Sequence, residues 1–335
     1  MVQVGAAYGM VFCMKVLVVL PEEFRVPFET LLRPRYEKEV DLETIYFKEL
    51  LTRPECIRRF AGKDAVVLTL EDVDDALMAG LPHLKMISIF GVGYDNVDLE
   101  AARRAGVEVT NAPGANAASV AEMALALMLS ACRQVALINQ QTRSHEWTLR
   151  SGIELAGKTC GIIGLGRIGK ELVRMLSGFD MRIIAYEKHQ DADFARQHSV
   201  EFVDLKVLAE RSDVISIHVP LLPETRNLIG EQVFAWMKRS PVIVNTSRGA
   251  VVDEPALVQA LRTGQVRAAA LDVLAQEPPA PDHPLREFRQ VIITSHIGGS
   301  TQDAIEQIGD MVLQDLCNVR DGQEPLHSVL DQKGA

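Results

Sequence analysis

The sequence predicts an α/β protein of two lobes, each a parallel sheet covered by helices on both faces. Its length of 335 residues is too great for one ordinary hydrophobic core and indicates two domains. Short apolar runs alternate with helical stretches along most of the chain, which is typical of buried strands in parallel sheets. A turn-rich break at residues 111–116 separates two such series of runs.

The first series begins at Lys15 and predicts a small parallel sheet. Its β-rich apolar runs lie at residues 15–20, 65–69, 85–90 and 107–110. Met14 and Lys15, followed by apolar residues, resemble a natural chain start. We therefore interpret residues 1–13 as an extension or a mis-assigned start.

A strongly apolar helix is predicted for residues 117–133, directly after the break. Its length approaches that of a membrane span, but Glu122, Ser130 and Arg133 argue against one. An apolar helix in a globular chain is usually buried in a large core or between subunits. We expect a homodimer, with burial of this helix inside one subunit as the alternative.

The second series of runs predicts a doubly wound sheet. Strands are expected near residues 159–163, 182–186, 201–203, 214–218, 242–246, 267–272 and 291–294, and helices beginning near 167, 192, 205, 231 and 253. A final amphipathic helix at 300–320 is expected to return to the first lobe. The predicted domains are residues 14–110 plus 300–335 and residues 111–299, joined by two crossings with a cleft between them.

Composition excludes several classes of partner. The chain is 47% hydrophobic and 24% charged. Its net charge of -10 argues against a nucleic acid or an anionic membrane as a partner, since both require a basic face on the protein.

The five cysteines show no paired spacing, so neither a disulfide framework nor a metal site is predicted. The apolar run near the N-terminus is too short for a membrane span and lacks the pattern of a signal peptide. We expect a cytoplasmic protein.

Gly164, Gly166 and Gly169 form a G-x-G-x-x-G pattern between a predicted strand and a predicted helix. The first glycine permits a tight turn, the second lets backbone N–H groups approach a pyrophosphate, and the third lets the helix pack on the strand. Glu187 ends the next strand about twenty residues later, where a ribose 2′-hydroxyl needs an acceptor. Because a carboxylate would repel a 2′-phosphate, the sequence predicts NAD rather than NADP.

Arg248, Glu277 and His296 each follow a predicted strand of the second lobe. The carboxyl ends of these strands share the edge at which doubly wound sheets bind ligands. A guanidinium can hold a carboxylate and polarise the adjacent carbonyl, an imidazole can exchange a proton with the carbonyl oxygen, and a carboxylate can fix the imidazole's tautomer. The three residues are the minimum set for reducing a 2-oxo acid with a nicotinamide hydride.

The glycine-rich turn and the three candidate catalytic residues lie in conspicuous sequence motifs. The stretches concerned are residues 161–169, 218–226, 244–253, 270–279 and 295–300. Together they closely resemble the D-isomer-specific 2-hydroxyacid dehydrogenase family, which includes phosphoglycerate dehydrogenases, glyoxylate and hydroxypyruvate reductases, and D-lactate dehydrogenases. The resemblance implies two Rossmann-like lobes, a discontinuous flavodoxin-like substrate domain and an NAD-binding domain. It places the family's catalytic residues on Arg248, Glu277 and His296.

The resemblance also implies which residues bind the ligands. The implied NAD contacts are Gly164, Gly166, Arg167, Ile168, Gly169, Glu187, His218, Val219, Pro220, Thr225, Thr246 and Asp272. The implied substrate contacts are Leu68, Thr69, Val92 and Gly93, with Phe90 and Tyr94 as further walls of the pocket. The N–H groups of the loop around Val92 and Gly93 are expected to grip the substrate carboxylate.

The expected substrate is a small or moderately apolar 2-oxo acid, with glyoxylate and hydroxypyruvate as the first choices. Phosphoglycerate dehydrogenases use first-domain arginines for the substrate phosphate, but residues 67–70 and 87–90 of this chain contain no cation. A phosphate there would be desolvated without a partner. Two alternatives stay open: a 3-phosphoglycerate dehydrogenase, and a nucleotide-sensing binding protein like the corepressors that resemble this family.

Overall fold

The computed structural model of the chain describes residues 13–330. The interpretation of residues 1–13 as an extension therefore lies outside the described residues, apart from the exposed Cys13. The chain divides into unit 1, which takes residues up to Asn116 and from Gln302 onward, and unit 2, which is Ala117–Thr301. The first limit lies six residues beyond the predicted one because Asn111 and Ala112 are tied into unit 1, their N–H groups bonding the carbonyls of His327 and Gly91.

Unit 1 is built on a parallel sheet with the strand order β2-β1-β3-β4-β5. Its elements before unit 2 are β1 (Lys15–Pro21), the helical turns α1 (Arg25–Pro27) and α2 (Arg33–Tyr36), β2 (Asp41–Phe47), α3 (Arg53–Phe60), β3 (Ala65–Leu68), α4 (Asp75–Ala79), β4 (Met86–Ile89), α5 (Leu99–Ala105) and β5 (Glu108–Thr110). This is the flavodoxin-like order, so the predicted architecture is confirmed.

Strand β2 was not among the predicted strands. It lies at the edge of the sheet, paired only with β1, and most of its side chains are partly exposed. Polar residues such as Asp41, Glu43 and Thr44 therefore interrupt the apolar run that identifies a buried strand.

Unit 2 contains a seven-stranded parallel sheet with the order β12-β11-β10-β9-β6-β7-β8. Its elements are α6 (Ala117–Arg133), α7 (Val135–Arg143), β6 (Thr159–Ile163), α8 (Arg167–Leu176), β7 (Arg182–Tyr186), α9 (Ala192–Gln197), β8 (Val200–Phe202), α10 (Leu205–Arg211), β9 (Val214–Ile217), α11 (Glu231–Trp236), β10 (Val242–Asn245), α12 (Glu254–Arg262), β11 (Ala268–Leu271) and β12 (Val291–Ile293). The direction of winding reverses between β6 and β9, and such a switch point is where doubly wound sheets bind ligands.

The apolar helix α6 packs against α8, β10 and β11 of its own unit. Its buried positions recur along one face and include Ala121, Ala124, Leu127 and Met128. No single helix in residues 13–330 is long and apolar enough to cross a membrane, although α6 and α7, bent by 64° at their junction, pass that test as a pair by length and composition.

The last helix, α13 (Gln302–Arg320), belongs to unit 1. It buries Ile305, Ile308, Val312 and Leu316 in the cluster that contains the residues of β1 and the turns after it. The Tyr36 hydroxyl donates a hydrogen bond of 2.7 Å to the carbonyl of Gly309, where a Cβ would lie only 2.4 Å from Leu32. The helix therefore completes the hydrophobic core of the first sheet.

Candidate functional site

The glycine-rich turn joins β6 to α8 at the switch point of unit 2. Gly164 has a φ of +93°, and a Cβ there would lie 2.8 Å from the backbone of His218 at the end of β9. Gly169 packs so closely that a Cβ would lie 2.4 Å from the Gly164 oxygen, whereas a Cβ on Gly166 would meet only open space. The turn is thus compact on its inner side and open at Gly166, the first residue before α8. This shape fits an anion at the helix N-terminus.

Glu187 lies beside this turn, directly after β7. One carboxylate oxygen accepts the N–H of Leu165 at 2.6 Å, and the other accepts the N–H of His189 at 2.9 Å. The predicted ribose acceptor is therefore held next to the predicted pyrophosphate cradle, in a single small region of unit 2.

Other predicted cofactor contacts follow β9 and β10. The Thr246 hydroxyl and the Nδ1 atom of His218 are buried without a hydrogen-bond partner, whereas His218 Nε2 lies 2.9 Å from the Ser216 hydroxyl. The Thr225 hydroxyl is occupied within its own turn, where it donates to the carbonyl of Pro220 and accepts the N–H of Leu222. Two unsatisfied polar atoms at the carboxyl edge of the sheet are consistent with a ligand in that position.

Arg248 is presented by a tight turn after β10. Asn245, which is buried, donates from its amide to the Arg248 carbonyl at 3.0 Å and accepts the N–H and hydroxyl of Ser247. The next residue is Gly249, where a Cβ would lie 1.9 Å from the backbone of Leu274. This contact, which requires glycine, brings the turn that carries Arg248 against the segment that leads to Glu277.

Glu277 and His296 form a direct pair at the same edge. Glu277 Oε2 lies 2.7 Å from His296 Nδ1, and Glu277 Oε1 accepts the N–H of Leu274 at 2.8 Å. Each side chain is about one third exposed, at 33% and 32%. With Nδ1 bonded to the carboxylate, the second ring nitrogen, Nε2, is the atom that can exchange a proton with a ligand.

The charges around Glu277 keep its carboxyl group ionised. Burial raises the pKa of Glu277. The hydrogen bond and charge of His296, the Leu274 N–H and the charge of Arg248 all lower this pKa, and together they outweigh the effect of burial. The resulting pKa lies below the ordinary value for glutamate. A carboxylate that remains charged stabilises the imidazolium form of its partner.

Asp272 has a structural function that the sequence did not indicate. Its buried carboxylate accepts hydrogen bonds from the Thr294 hydroxyl and from the N–H groups of Ile297 and Gly298, and its carbonyl accepts the N–H of His296. These bonds surround His296, whose φ is +56°. Asp272, predicted as a cofactor contact, therefore holds the loop on which the imidazole is carried.

The predicted substrate residues lie at the carboxyl edge of the sheet in unit 1. Leu68 and Phe90 are buried in the hydrophobic core, so their side chains contribute to packing rather than to an open surface. Thr69, Val92 and Gly93 are partly exposed. In residues 13–330 no group of three or more His, Cys, Asp or Glu side chains is arranged to hold a metal ion.

Comparison with known proteins identifies the family. The model of the NAD-binding domain of D-isomer specific 2-hydroxyacid dehydrogenases matches residues 125–298. A glyoxylate reductase of Thermofilum pendens is 39% identical over 82% of this chain and 83% of its own length. A D-3-phosphoglycerate dehydrogenase of Archaeoglobus fulgidus is 40% identical over 86% of this chain, which spans only 55% of that protein.

A solved structure supports the same assignment. The apo structure of D-lactate dehydrogenase from Escherichia coli superposes with a TM-score of 0.83 at 32% identity, covering 94% of this chain and 99% of that one. The predicted fold, the predicted family and the predicted NAD cofactor are confirmed. The chain belongs to the family of D-isomer specific 2-hydroxyacid dehydrogenases, which are NAD-dependent oxidoreductases acting on CH–OH groups.

Proposed function

We propose that this protein reduces a small 2-oxo acid, of the glyoxylate or hydroxypyruvate type, to the corresponding D-2-hydroxy acid. The observation that carries the proposal is the 2.7 Å contact between Glu277 and His296 in the unit that contains the dinucleotide-binding turn. A paired imidazole beside a cofactor cradle is the arrangement that proton transfer to a carbonyl oxygen requires.

Each residue has a defined part in the proposed reaction. NADH, when bound by the turn at Gly164–Gly169 and by Glu187, supplies the hydride. His296 donates a proton from Nε2 to the carbonyl oxygen and takes it back in the oxidative direction. Glu277 holds the ring through Nδ1 and stabilises the charged imidazolium. Arg248 binds the substrate carboxylate and polarises the carbonyl.

The proposed substrate contacts in unit 1 are Leu68 and Thr69, together with the N–H groups of Val92 and Gly93. Between residues 13 and 330, the latter two N–H groups donate to no carbonyl of the chain. A glyoxylate reductase among the relatives supports a small, unphosphorylated substrate. The D-3-phosphoglycerate dehydrogenase relative keeps 3-phosphoglycerate as the second candidate.

We also propose that the protein acts as a homodimer in the cytoplasm. Trp147 and Leu149 are 87% and 97% exposed, and exposed apolar side chains of this size favour a protein contact. The cysteines are free thiols, including the buried Cys56, Cys132 and Cys160, which suits a reducing compartment.

The test is an assay of NADH oxidation with a panel of 2-oxo acids that includes glyoxylate, hydroxypyruvate, pyruvate and 3-phosphohydroxypyruvate. We expect turnover with at least one unphosphorylated acid and a fall in kcat of about a hundredfold or more in H296Q, since general acid catalysis typically contributes about 10² to 10⁴. NADH binding, followed by fluorescence, is expected to stay within about twofold of the wild-type value, because H296Q leaves the glycine-rich turn intact.

The matched control is H283Q. His283 Nε2 also lies beside a glutamate of unit 2, 3.1 Å from Glu254 Oε2, but it is not one of the three predicted catalytic residues. We expect H283Q to retain kcat within about threefold of wild type. Normal turnover by H296Q would exclude His296 as the acid, and a preference for 3-phosphohydroxypyruvate would favour the second candidate.

A further inference from the structure

A buried glutamate in unit 1 has no part in the proposed chemistry. Glu71 follows β3 by three residues and is only 2% exposed. Burial raises its pKa, against the effect of the backbone N–H groups that bind it. A buried ionisable side chain is costly, so its hydrogen bonds indicate what it does.

The carboxylate of Glu71 binds the backbone of its own loop. Its Oε2 atom accepts the N–H groups of Thr69 and Leu70, both at 3.2 Å. Its other oxygen, Oε1, and the Thr69 hydroxyl are buried without a hydrogen-bond partner. A single oxygen of one side chain therefore fixes two consecutive peptide groups in the stretch proposed to contact substrate.

The same loop is bound to the neighbouring loop that follows β4. Asn96 donates from its side-chain amide to the Glu71 carbonyl at 2.7 Å, and its own carbonyl accepts the N–H of Val73 at 2.9 Å. The second loop is itself held by Asn111, whose amide donates to the Val92 carbonyl at 2.6 Å. Movement of the loop at Thr69 is thus coupled to the loop at Val92 through hydrogen bonds.

We propose that Glu71 is a positioning residue that sets the geometry of the substrate loops of unit 1. Because it occupies the N–H groups of Thr69 and Leu70, these groups are not available to an anionic ligand. Recognition of the substrate carboxylate is left to the N–H groups of Val92 and Gly93, whose loop Glu71 supports through Asn96. This inference rests on the proposed function, since it concerns the binding of the 2-oxo acid.

The test compares E71A, E71D and E71Q with wild type. E71A removes the acceptor, and E71D withdraws it by one methylene, so we expect the KM for the preferred 2-oxo acid to rise about tenfold or more in each, while kcat changes less. E71Q keeps an oxygen at the position of Oε2 and is expected to restore KM to within about threefold of wild type. NADH binding belongs to unit 2 and is expected to be unchanged in all three.

The matched control is D64A. Asp64 lies directly before β3, at the opposite end of the strand from the two loops, where it accepts the N–H of Lys15 at 2.9 Å and pairs with Lys85 at 2.8 Å. We expect D64A to lower the unfolding midpoint without raising KM. Hydrogen exchange supplies a readout independent of turnover: the amides of Thr69 and Leu70 should exchange faster in E71A and E71D, but not in E71Q or D64A.

The outcomes separate this inference from the proposed function. A wild-type protein that turns over no 2-oxo acid contradicts the proposed function. Normal wild-type turnover with an unchanged KM in E71A and E71D contradicts only the positioning role of Glu71. If E71A does not fold, E71D and E71Q supply the test. Equal amide exchange rates at Thr69 and Leu70 in E71D, E71Q and wild type also overturn the positioning role of Glu71.

Discussion

We expect Glu187 to determine which of the two cofactors, NADH or NADPH, the protein prefers. Both of its oxygens accept backbone N–H groups beside the glycine-rich turn, which fixes negative charge at the end of β7. We expect E187A to narrow the preference for NADH over NADPH about tenfold, because the charge that repels a 2′-phosphate is removed. The measurement is kcat/KM with each cofactor.

The control for Glu187 is E201A. Glu201 is an exposed glutamate on β8 of the same sheet, paired with Arg211 rather than with the turn. Its removal should leave the cofactor ratio unchanged. An equal ratio in E187A and wild type would mean that Glu187 does not face the ribose.

His218 makes the stability of unit 2 depend on pH. Burial lowers the pKa of His218 to about 4, from an ordinary value of 6.5. The unfolded chain therefore binds more protons than the folded chain between these values, and stability falls as the pH decreases through that window. We expect H218N to show a weaker loss of stability between pH 6.5 and 4, measured by denaturant unfolding of the apo protein. Parallel stability curves for the two proteins would contradict this.

At the scale of elements, the loop between β12 and α13 is held in place by hydrogen bonds to Asp272. Three hydrogen bonds reach its carboxylate, and a fourth joins its carbonyl to His296. We expect D272N to lower kcat about tenfold or more, because small displacements of a catalytic group are costly. T294V, which removes only the hydroxyl donor, should reduce stability by about 1.5–3 kcal/mol, the typical contribution of a hydrogen bond to a charged group.

Kinetics and denaturant unfolding distinguish these two effects. A D272N protein with normal kcat would show that the loop is held without the carboxylate. An unchanged unfolding free energy in T294V would show that water replaces the hydroxyl.

Buried strands were the elements that the sequence predicted best. Strand β3 consists of four buried apolar residues, and β4 of three with the buried Ser88 between them, a pattern that depends only on local composition. The edge strand β2 and the helix α7 were missed, because their partly exposed residues have no such pattern. Short apolar runs are therefore reliable only where both faces of the sheet are covered.

The candidate site was predictable in part for a similar reason. Arg248, Glu277 and His296 follow strands, and parallel strands bring their carboxyl ends to one edge. The hydrogen bonds that Asp272 and Glu71 accept from backbone N–H groups were not predictable from the sequence. Which N–H groups face each carboxylate depends on the folded conformation of the loop. The sequence also could not show whether Leu68 packs in the core or contacts substrate, because an apolar side chain is suited to both positions.

At the scale of the whole molecule, the expectation of a homodimer now has a different basis. Most of the apolar face of α6 is buried within unit 2, and Met123, Leu125 and Leu129 are partly buried against the same core, so this helix no longer supplies the main reason for a dimer. The exposed Trp147 and Leu149 take its place as the reason to expect a second copy. We predict a dimeric mass by light scattering at micromolar concentration and a shift towards monomer in W147S/L149S.

The control for assembly is L326S. Leu326 is also an exposed apolar residue, 68% accessible, but it lies in unit 1. Its substitution should leave the mass unchanged. A monomeric wild-type protein would contradict the predicted dimer.

The return of α13 to unit 1 imposes an order on synthesis. A ribosome completes all seven strands of unit 2 before it makes the helix that covers Leu32 and Phe28. Part of the apolar surface of the first sheet therefore stays uncovered while nearly two hundred further residues are translated. Truncation before Gln302 would leave that surface permanently open, and such a fragment should associate with chaperones or aggregate.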